Sequence, residues 1–425
     1  VPSAEKRVNK VDDARAISER WLAELSLERL TRARLDELAL GHGDVDVVAI
    51  GKASREMSDA VDAMLGARAQ RHLIVCDESS ASLFAVSRDV FVGEHPIPGE
   101  GSWRAGEALI SFLEESSTAT STLFLLSGGA SSLCVAPVPP LTLDDLRGVW
   151  DAAMAAGIDI TTLNKLRAST SAIAGGGVLR HVGTASSYSL ILVDNVISGA
   201  EWVASGLTFD YEPTTVEVAA LLEQTALLGT ELGDRLLKAH ERRERLMTAP
   251  PTSRHENAVL AEPSMMLDHA LDEARQRGYR VVNMGSRVHG DVERVVALWR
   301  NVMRRALDDD APTAFVGVGE VTVKVEGNGT GGRCQEFAWL MANVLADFER
   351  DGVFVARASD GRDFVEGVGG AWVERSTKER LVTAGIDWSD VAQRHDTYPA
   401  LQTLGHLIEG GHSGWNLCDV YVALW

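Results

Sequence analysis

Four glycine turns in this chain carry the residue types that could hold an anion. They are Gly51-Lys52, Ser127-Gly128-Gly129, the run GNGTGG at 327–332 followed by Arg333, and Ser359-Asp360-Gly361. Backbone N–H groups exposed at such a turn, or at the helix N-terminus that follows it, bind an anion without any side chain. Lys52 and Arg333 would add full positive charge, and an arginine can grip a carboxylate or phosphate with two parallel hydrogen bonds. Arg167, in TTLNKLRASTSAIAGGG, is a further cation beside glycines. One glycine turn by itself need only permit positive φ. Four of them, several with adjoining charge, point to a phosphate or carboxylate ligand.

Gly327, Gly329 and Gly332 satisfy the dinucleotide pattern G-x-G-x-x-G. That fingerprint follows a strand buried on both faces. Here Val321, Val323 and Val325 alternate with Thr322, Lys324 and Glu326, which predicts a half-exposed strand, and an arginine follows the last glycine. A P-loop fails at two positions, Asp46 and Ala53. Asp194, Asp360, Asp363 and Asp419 sit near strand ends, where an aspartate can hold a metal ion, act as a base or cap a helix. His95 precedes a proline, so it belongs to an extended turn.

The elements that must position these residues read as alternating strands and helices. Apolar runs at 44–50, 72–77, 121–126 and 187–195 predict buried strands, and helical spacing is clear at 12–40 and 216–247. The polar, proline-containing stretch 248–264 reads as a loop or linker. A second set follows, with strands at 279–284, 313–326 and 352–361, helices at 290–308 and 333–349, and a terminal strand. This alternation predicts an α/β protein with a parallel sheet covered on both faces. The expected boundaries are an N-terminal α/β domain over 1–250, a linker region over 251–278 and a C-terminal α/β domain over 279–425.

The bulk numbers narrow the function class. The chain has 425 residues, 45% hydrophobic and 24% charged, which suits a folded protein of two domains. A formal charge of −20 argues against nucleic acid and anionic membrane as partners. Cys76, Cys134, Cys334 and Cys418 are widely spaced, which disfavours a zinc site or a disulfide framework and suits reduced thiols. With no signal-peptide core and no membrane-length run, the expected location is the cytoplasm.

The order of blocks GKASREM, HPIPGEGSWRAG, LLSGGASSL, LNKLRASTSAIAGGGVL, VASGLT, GEVTVKVEGNGTGGRCQEF, SDGRDF and GHSGWNLCD resembles the glycerate 2-kinases of the MOFRL type, also labelled hydroxypyruvate reductases. The resemblance runs from about residue 45 to the C-terminus. It implies a large Rossmann-like N-terminal domain, a smaller MOFRL-like C-terminal α/β domain and an active site in the cleft between them. The implied activity is ATP-dependent, Mg²⁺-assisted phosphorylation of a hydroxyl on a small hydroxy acid. The implied partners are a small-molecule substrate and a nucleotide, with a homo-oligomer left open. By the same resemblance Lys52, Arg333 and Asp194 are catalytic, with Asp194 the metal or hydroxyl-activating acid. Ser127, Gly128, Gly129, Ser131, Arg167, Gly329, Gly332, Glu336, Asp360 and Asn416 would bind substrate or phosphate.

The chain departs from that pattern at several positions. Ser169 stands for a histidine, Ala174 for a lysine, Ser198 for an acid and Cys334 for an asparagine. Phe364 replaces a glycine, and the closing motif reads Gly411, His412, Ser413, Gly414, Trp415, Asn416. Lost polar groups and added aromatics give the alternative to a glycerate-type acceptor: the same scaffold phosphorylating a different polyol, sugar or cyclitol. An NAD(P)H-dependent hydroxypyruvate reductase and a non-catalytic small-molecule binder are the readings from other classes.

Overall fold

A computed structural model describes residues 9–38, 40–81, 89–115, 117–248, 250–251, 253–411 and 415–425. Two compact units divide the chain. One comprises Leu27–Val193 with Ile197–Ala261; the other comprises Val1–Ser26, Asp194–Val196 and Glu262–Trp425.

The first unit is built on six parallel strands: β1 (Val45–Ile50), β2 (Ala69–Cys76), β3 (Asp89–Val92), β4 (Ser121–Leu126), β5 (Ser186–Leu192) and β6 (Arg254–Ala261). Their order across the sheet is β3-β2-β1-β4-β5-β6. Every residue of β1 and β4 is buried, as a sheet covered on both faces demands. Val48, Ile50, Phe124 and Leu126 meet Leu109, Leu133 and Val178 in one core. The strand order reverses between β1 and β4, and open α/β sheets bind their ligands outside the carboxyl ends of the strands at such a point.

The second unit has a mixed sheet of β7 (Arg280–Asp291), β8 (Thr313–Thr322), β9 (Val353–Ala358), β10 (Val368–Glu374), β11 (Leu407–Glu409) and β12 (Asp419–Leu424). Its order is β11-β10-β9-β12-β8-β7. Only β7 and β8 run parallel; the other pairs are antiparallel. The helix Arg333–Ala346 packs on β9 and β10. Trp299, Phe337, Phe354 and Tyr421 form its aromatic centre, with Phe337 at 4.8 Å from both Phe354 and Tyr421.

Three expectations change. The stretch 251–278 is not a bare linker. It holds β6, which completes the first sheet, and the helix Pro263–Gln276, with its proline in the first turn where no N–H is needed. The helix Lys10–Glu24 packs on β9 and β12 of the second unit, whereas the first residues were expected in the N-terminal domain. The half-exposed alternation lies past the end of β8: that strand is buried through Gly319, and the exposed Lys324–Glu326 pair follows it.

Candidate functional site

In the first unit the register Ile50↔Leu126 puts the ends of β1 and β4 level, so their two glycine turns lie side by side. Ser127 N donates to Ile50 O at 3.1 Å, and Lys52 N donates to Gly128 O at 2.9 Å. Gly51 has φ +127°, and a Cβ there would meet Ser127 O at 2.6 Å, so the close approach of the two turns requires glycine. Ser127 Oγ accepts from Ala53 N at 3.1 Å, which caps the helix Ser54–Leu65.

The Ser127-Gly128-Gly129 turn leaves its amides unspent. Among the described residues no protein group accepts from the N–H of Gly128, Gly129 or Ala130. Lys52 and His95 flank Gly129: its Cβ position lies 3.3 Å from Lys52 Cε and from His95 Cδ2. Lys52 forms no ion pair among the described residues, and its side chain is exposed. Burial lowers the pKa of His95, and the charges of Lys52 and Arg167 lower it further, against a smaller pull from Asp77. His95 is therefore neutral beside two cations. Amides and an ammonium with no partner among the described residues, at the strand-order reversal, are groups that can receive an anion.

Behind this turn lies a pocket of about 50 Å³. Its polar end is a connected set. Ser205 Oγ donates to Ser131 Oγ at 2.9 Å and reaches Asn164 Oδ1 at 3.1 Å, and Arg167 Nη1 donates to the same Oδ1 at 3.5 Å. Arg167 also stacks over Trp150 at 5.4 Å. No carboxylate pairs with it among the described residues, and burial pulls its pKa down to about 10, still a cation at neutral pH. Ala204 and Ser205 hold φ of +55° and +54°, a left-handed backbone that non-glycine residues adopt at a cost.

The second unit gathers charge of the opposite sign. Arg333 donates from Nε and Nη2 to the two oxygens of Asp419, at 2.7 and 2.8 Å, and reaches Glu320 at 3.2 Å. Burial works against the guanidinium, but Asp419 and Glu320 outweigh it and raise its pKa. Glu320 is raised by burial, and by the charges of Asp419, Asp194 and Asp360 against that of Arg333. Arg333 thus pairs with two acids, Asp419 and Glu320. Asn416 Oδ1 accepts from Ser359 Oγ at 2.8 Å, and Asp360 caps its own turn through Arg362 N at 2.9 Å.

The GNGTGG loop has two of its amides engaged by another segment. Gly329 N is spent on Arg394 O at 2.8 Å and Thr330 N on Asp396 Oδ1 at 2.8 Å. The helix that follows is capped from within: Asp363 accepts from Cys334 N at 3.0 Å and Gln335 N at 2.9 Å. Asp363 is buried, which raises its pKa to about 6 against those hydrogen bonds. A Cβ on Gly332 would collide with Asp363, and one on Gly329 would lie 2.7 Å from Asp396 Cα. These glycines let chain segments approach each other. Glu336 turns away to His395 at 3.3 Å.

So Lys52, Ser127, Gly128, Gly129, Ser131 and Arg167 come together in the first unit, while in the second Arg333 pairs with Asp419 and Glu320, and the charges of Asp194 and Asp360 act on Glu320. Gly329, Gly332 and Glu336 are engaged in local packing. Asn164, Ser205 and Glu320 were missed. Asn164 and Arg167 share one face of the helix Ile160–Ser169 at i, i+3, a spacing the sequence displays. Of the added aromatics, Phe364 is 71% exposed, and Trp415 packs edge-on against Trp21 at 5.9 Å. His412, Ser413 and Gly414 lie outside the described residues. All four cysteines are buried and unpaired. No helix among the described residues is long and apolar enough to cross a membrane.

Comparison with known proteins agrees with this layout. The family description "Domain of unknown function (DUF4147)" matches residues 3–238, and the MOFRL family matches 313–419. A D-glycerate 2-kinase of Thermotoga maritima is 26% identical over 402 residues, covering 93% of each chain. A protein of Agrobacterium vitis named as a hydroxypyruvate reductase is 30% identical over 389 residues, covering 89% of this chain and 86% of its own. The crystal structure of a glycerate kinase from Thermotoga maritima superposes with a TM-score of 0.84 at 24% identity, over 97% of this chain and 98% of that one.

Proposed function

Because the chain belongs to the glycerate kinase family that joins a DUF4147 region to a MOFRL region, we propose that it is an ATP-dependent kinase of a small hydroxy acid. The observation that carries this reading is the set of amides at Gly128–Ala130, flanked by Lys52, none of which has a partner among the described residues, at the reversal of strand order. Such a site suits phosphate oxygens. In the reaction the acceptor hydroxyl oxygen bonds to the γ-phosphorus as the bond to the β-phosphate oxygen breaks. The hydroxyl proton is released to a base, and ADP leaves. Lys52 and the amides stabilise charge on the phosphoryl oxygens, and Arg167 holds the acceptor carboxylate. Asp194 is our candidate for the base or the metal ligand, and it acts in a reducing, cytoplasmic setting that suits four buried thiols.

Mg²⁺, when bound, would neutralise charge on the β- and γ-phosphates. The residues fit that ion in one respect. Among the described residues no cluster of three acidic, histidine or cysteine side chains is arranged as a metal cage. Mg²⁺ commonly needs one or two carboxylates, with phosphate oxygens and water completing its shell. Asp194 and Asp360, near Glu320 and Arg333, could supply that minimum.

A reductase reading, which the Agrobacterium relative's name suggests, would rest on GNGTGG. Two of its amides are spent, and Asp363 takes the Cys334 and Gln335 N–H groups at the start of the following helix, which are donors a pyrophosphate would use. Calorimetric titration with ATP-Mg²⁺ and with NADH, followed by an ADP-release assay over hydroxy acids, sugars and cyclitols, tests the choice. ATP binding with acceptor-dependent ADP release is expected. NADH binding without ATP binding would overturn the kinase reading, and acceptor binding with no turnover would favour the non-catalytic binder.

A further inference from the structure

The pocket behind the Ser127 turn has two chemistries at its two ends. One end is the polar set Ser131, Asn164, Ser205 and Arg167. Most of the rest of the wall is hydrocarbon, chiefly Leu146, Val149, Leu166, Ile173, Leu207 and Leu236, with Thr170 and Ser171 the hydroxyl residues among it. A solitary guanidinium at the edge of an apolar pocket is costly to maintain, since burial opposes its charge. Such an arrangement is explained when a ligand anion completes the pair. The left-handed Ala204 and Ser205 line the same space, so the chain also accepts backbone strain to place the Ser205 hydroxyl there.

Ala174 lies on that wall as well. It is the position where the resemblance to the MOFRL-type glycerate 2-kinases implies a lysine. A lysine would fill the apolar end and add a second cation; alanine leaves room and leaves the wall without charge. Ser169, the other altered position of that segment, takes no part: it is fully buried, with Oγ donating to Leu166 O at 2.7 Å. The substitution that matters is therefore the one that faces the pocket.

We infer that this pocket takes a monocarboxylate hydroxy acid with a short aliphatic body, its carboxylate on Arg167 and its hydrocarbon against the Leu146–Val149–Leu207 wall. The inference rests on the kinase reading and narrows its acceptor. A room of about 50 Å³ suits a short aliphatic body, linear or branched. Glycerate, whose third carbon carries a second hydroxyl, would bury a polar group where the Leu146–Val149–Leu207 wall offers it no partner. Each buried methylene is worth about fourfold in affinity.

The test is calorimetric binding of glycerate, lactate, 2-hydroxyisovalerate and 2-hydroxyisocaproate to the full chain, with ADP release measured alongside. The branched acids should bind at least tenfold more tightly than glycerate and lactate and should drive faster ADP release. Arg167→Gln should remove binding of every acid. Ala174→Lys and, as a second route should that variant not fold, Leu146→Phe should each weaken the branched acids at least tenfold relative to glycerate. Glycerate binding as well as or better than the branched acids would overturn the inference while leaving the kinase reading intact. Failure of all four acids to bind, with ATP-Mg²⁺ still bound, would overturn it too. Failure of ATP-Mg²⁺ itself to bind would instead strike at the kinase reading.

Discussion

Arg333 lies along the carboxylate of Asp419 with two parallel hydrogen bonds, and Asp419 is fully buried. An arginine in that position is a structural counter-ion before it is anything else. Arg333→Ala should strand a buried carboxylate and cost about 3–5 kcal/mol of stability. The double variant Arg333→Ala/Asp419→Asn should recover a good part of that loss. Urea unfolding midpoints measure both. If Arg333→Ala unfolds at the wild-type midpoint, the pair does not hold the second unit together. Its effect on turnover can be interpreted only on the folded fraction, since loss of fold and loss of chemistry would coincide.

Lys52 is the reverse case. It has no ion pair to lose among the described residues. Lys52→Met should leave stability within about 0.5 kcal/mol of wild type while turnover falls by about two orders of magnitude or more. Steady-state ADP release and a thermal melt decide this together. Retained turnover would remove Lys52 from the site.

The two glycine loops should respond differently to the same substitution. Gly129→Ala places a Cβ at φ +82° against Lys52 and His95, so nucleotide affinity should drop more than tenfold, with about 1 kcal/mol lost to backbone strain. Gly329→Ala drives a Cβ into Asp396 and should destabilise by about 1–3 kcal/mol. The folded fraction of that variant should still bind nucleotide normally. Reversed outcomes would mean that the phosphate cradle has been assigned to the wrong loop.

His406 gives a pH signature. It is buried, stacks on Trp372 at 3.9 Å, and its Nε2 accepts from Arg380 Nη1 at 3.2 Å. Burial, then the Arg380 charge, lowers its pKa to about 4. The unfolded histidine titrates near 6.5, so acidification protonates the unfolded chain first. Stability is full above about pH 6.5 and is lost as pH falls toward 4, by an amount on the order of 3 kcal/mol. The quantity to follow is the difference in unfolding free energy between wild type and His406→Gln from pH 7 to pH 4. A difference that stays flat would show that the histidine is not held neutral.

The sequence displayed much of this architecture because its strongest signals are local. Continuous apolar runs mark β1 and β4, and the glycines at their ends mark the turns that carry Lys52 and Ser127. β6 was hidden for a physical reason. As an edge strand it is largely half-exposed, so its polar residues read as loop. The proline that seemed to extend that loop opens a helix instead. The helical stretch 216–247 is broken at a left-handed Gly229 followed by the capping Thr230, a stop and start that the residues do spell out.

The site was legible in part for the same reason. Free and spent amides look alike in sequence, so GNGTGG and SGGA seemed equivalent. What separates them is tertiary: Arg394 and Asp396 arrive from a distant segment to engage Gly329 and Thr330, and Asp363 takes the first N–H groups of the helix that follows. The roles of Ala174 and Ser205 likewise depend on which way a folded segment faces. Glu320 reaches Arg333 from the far end of β8, thirteen positions back along the chain.

Ala204 and Ser205 set a trade between robustness and use. Glycine at both positions would suit the left-handed backbone better, and the fold would gain from the exchange. Serine keeps a hydroxyl fixed between Ser131 and Asn164 at that expense. A library selected for heat resistance alone should therefore drift to glycine at 205, and its survivors should be the variants that have forgotten their acceptor.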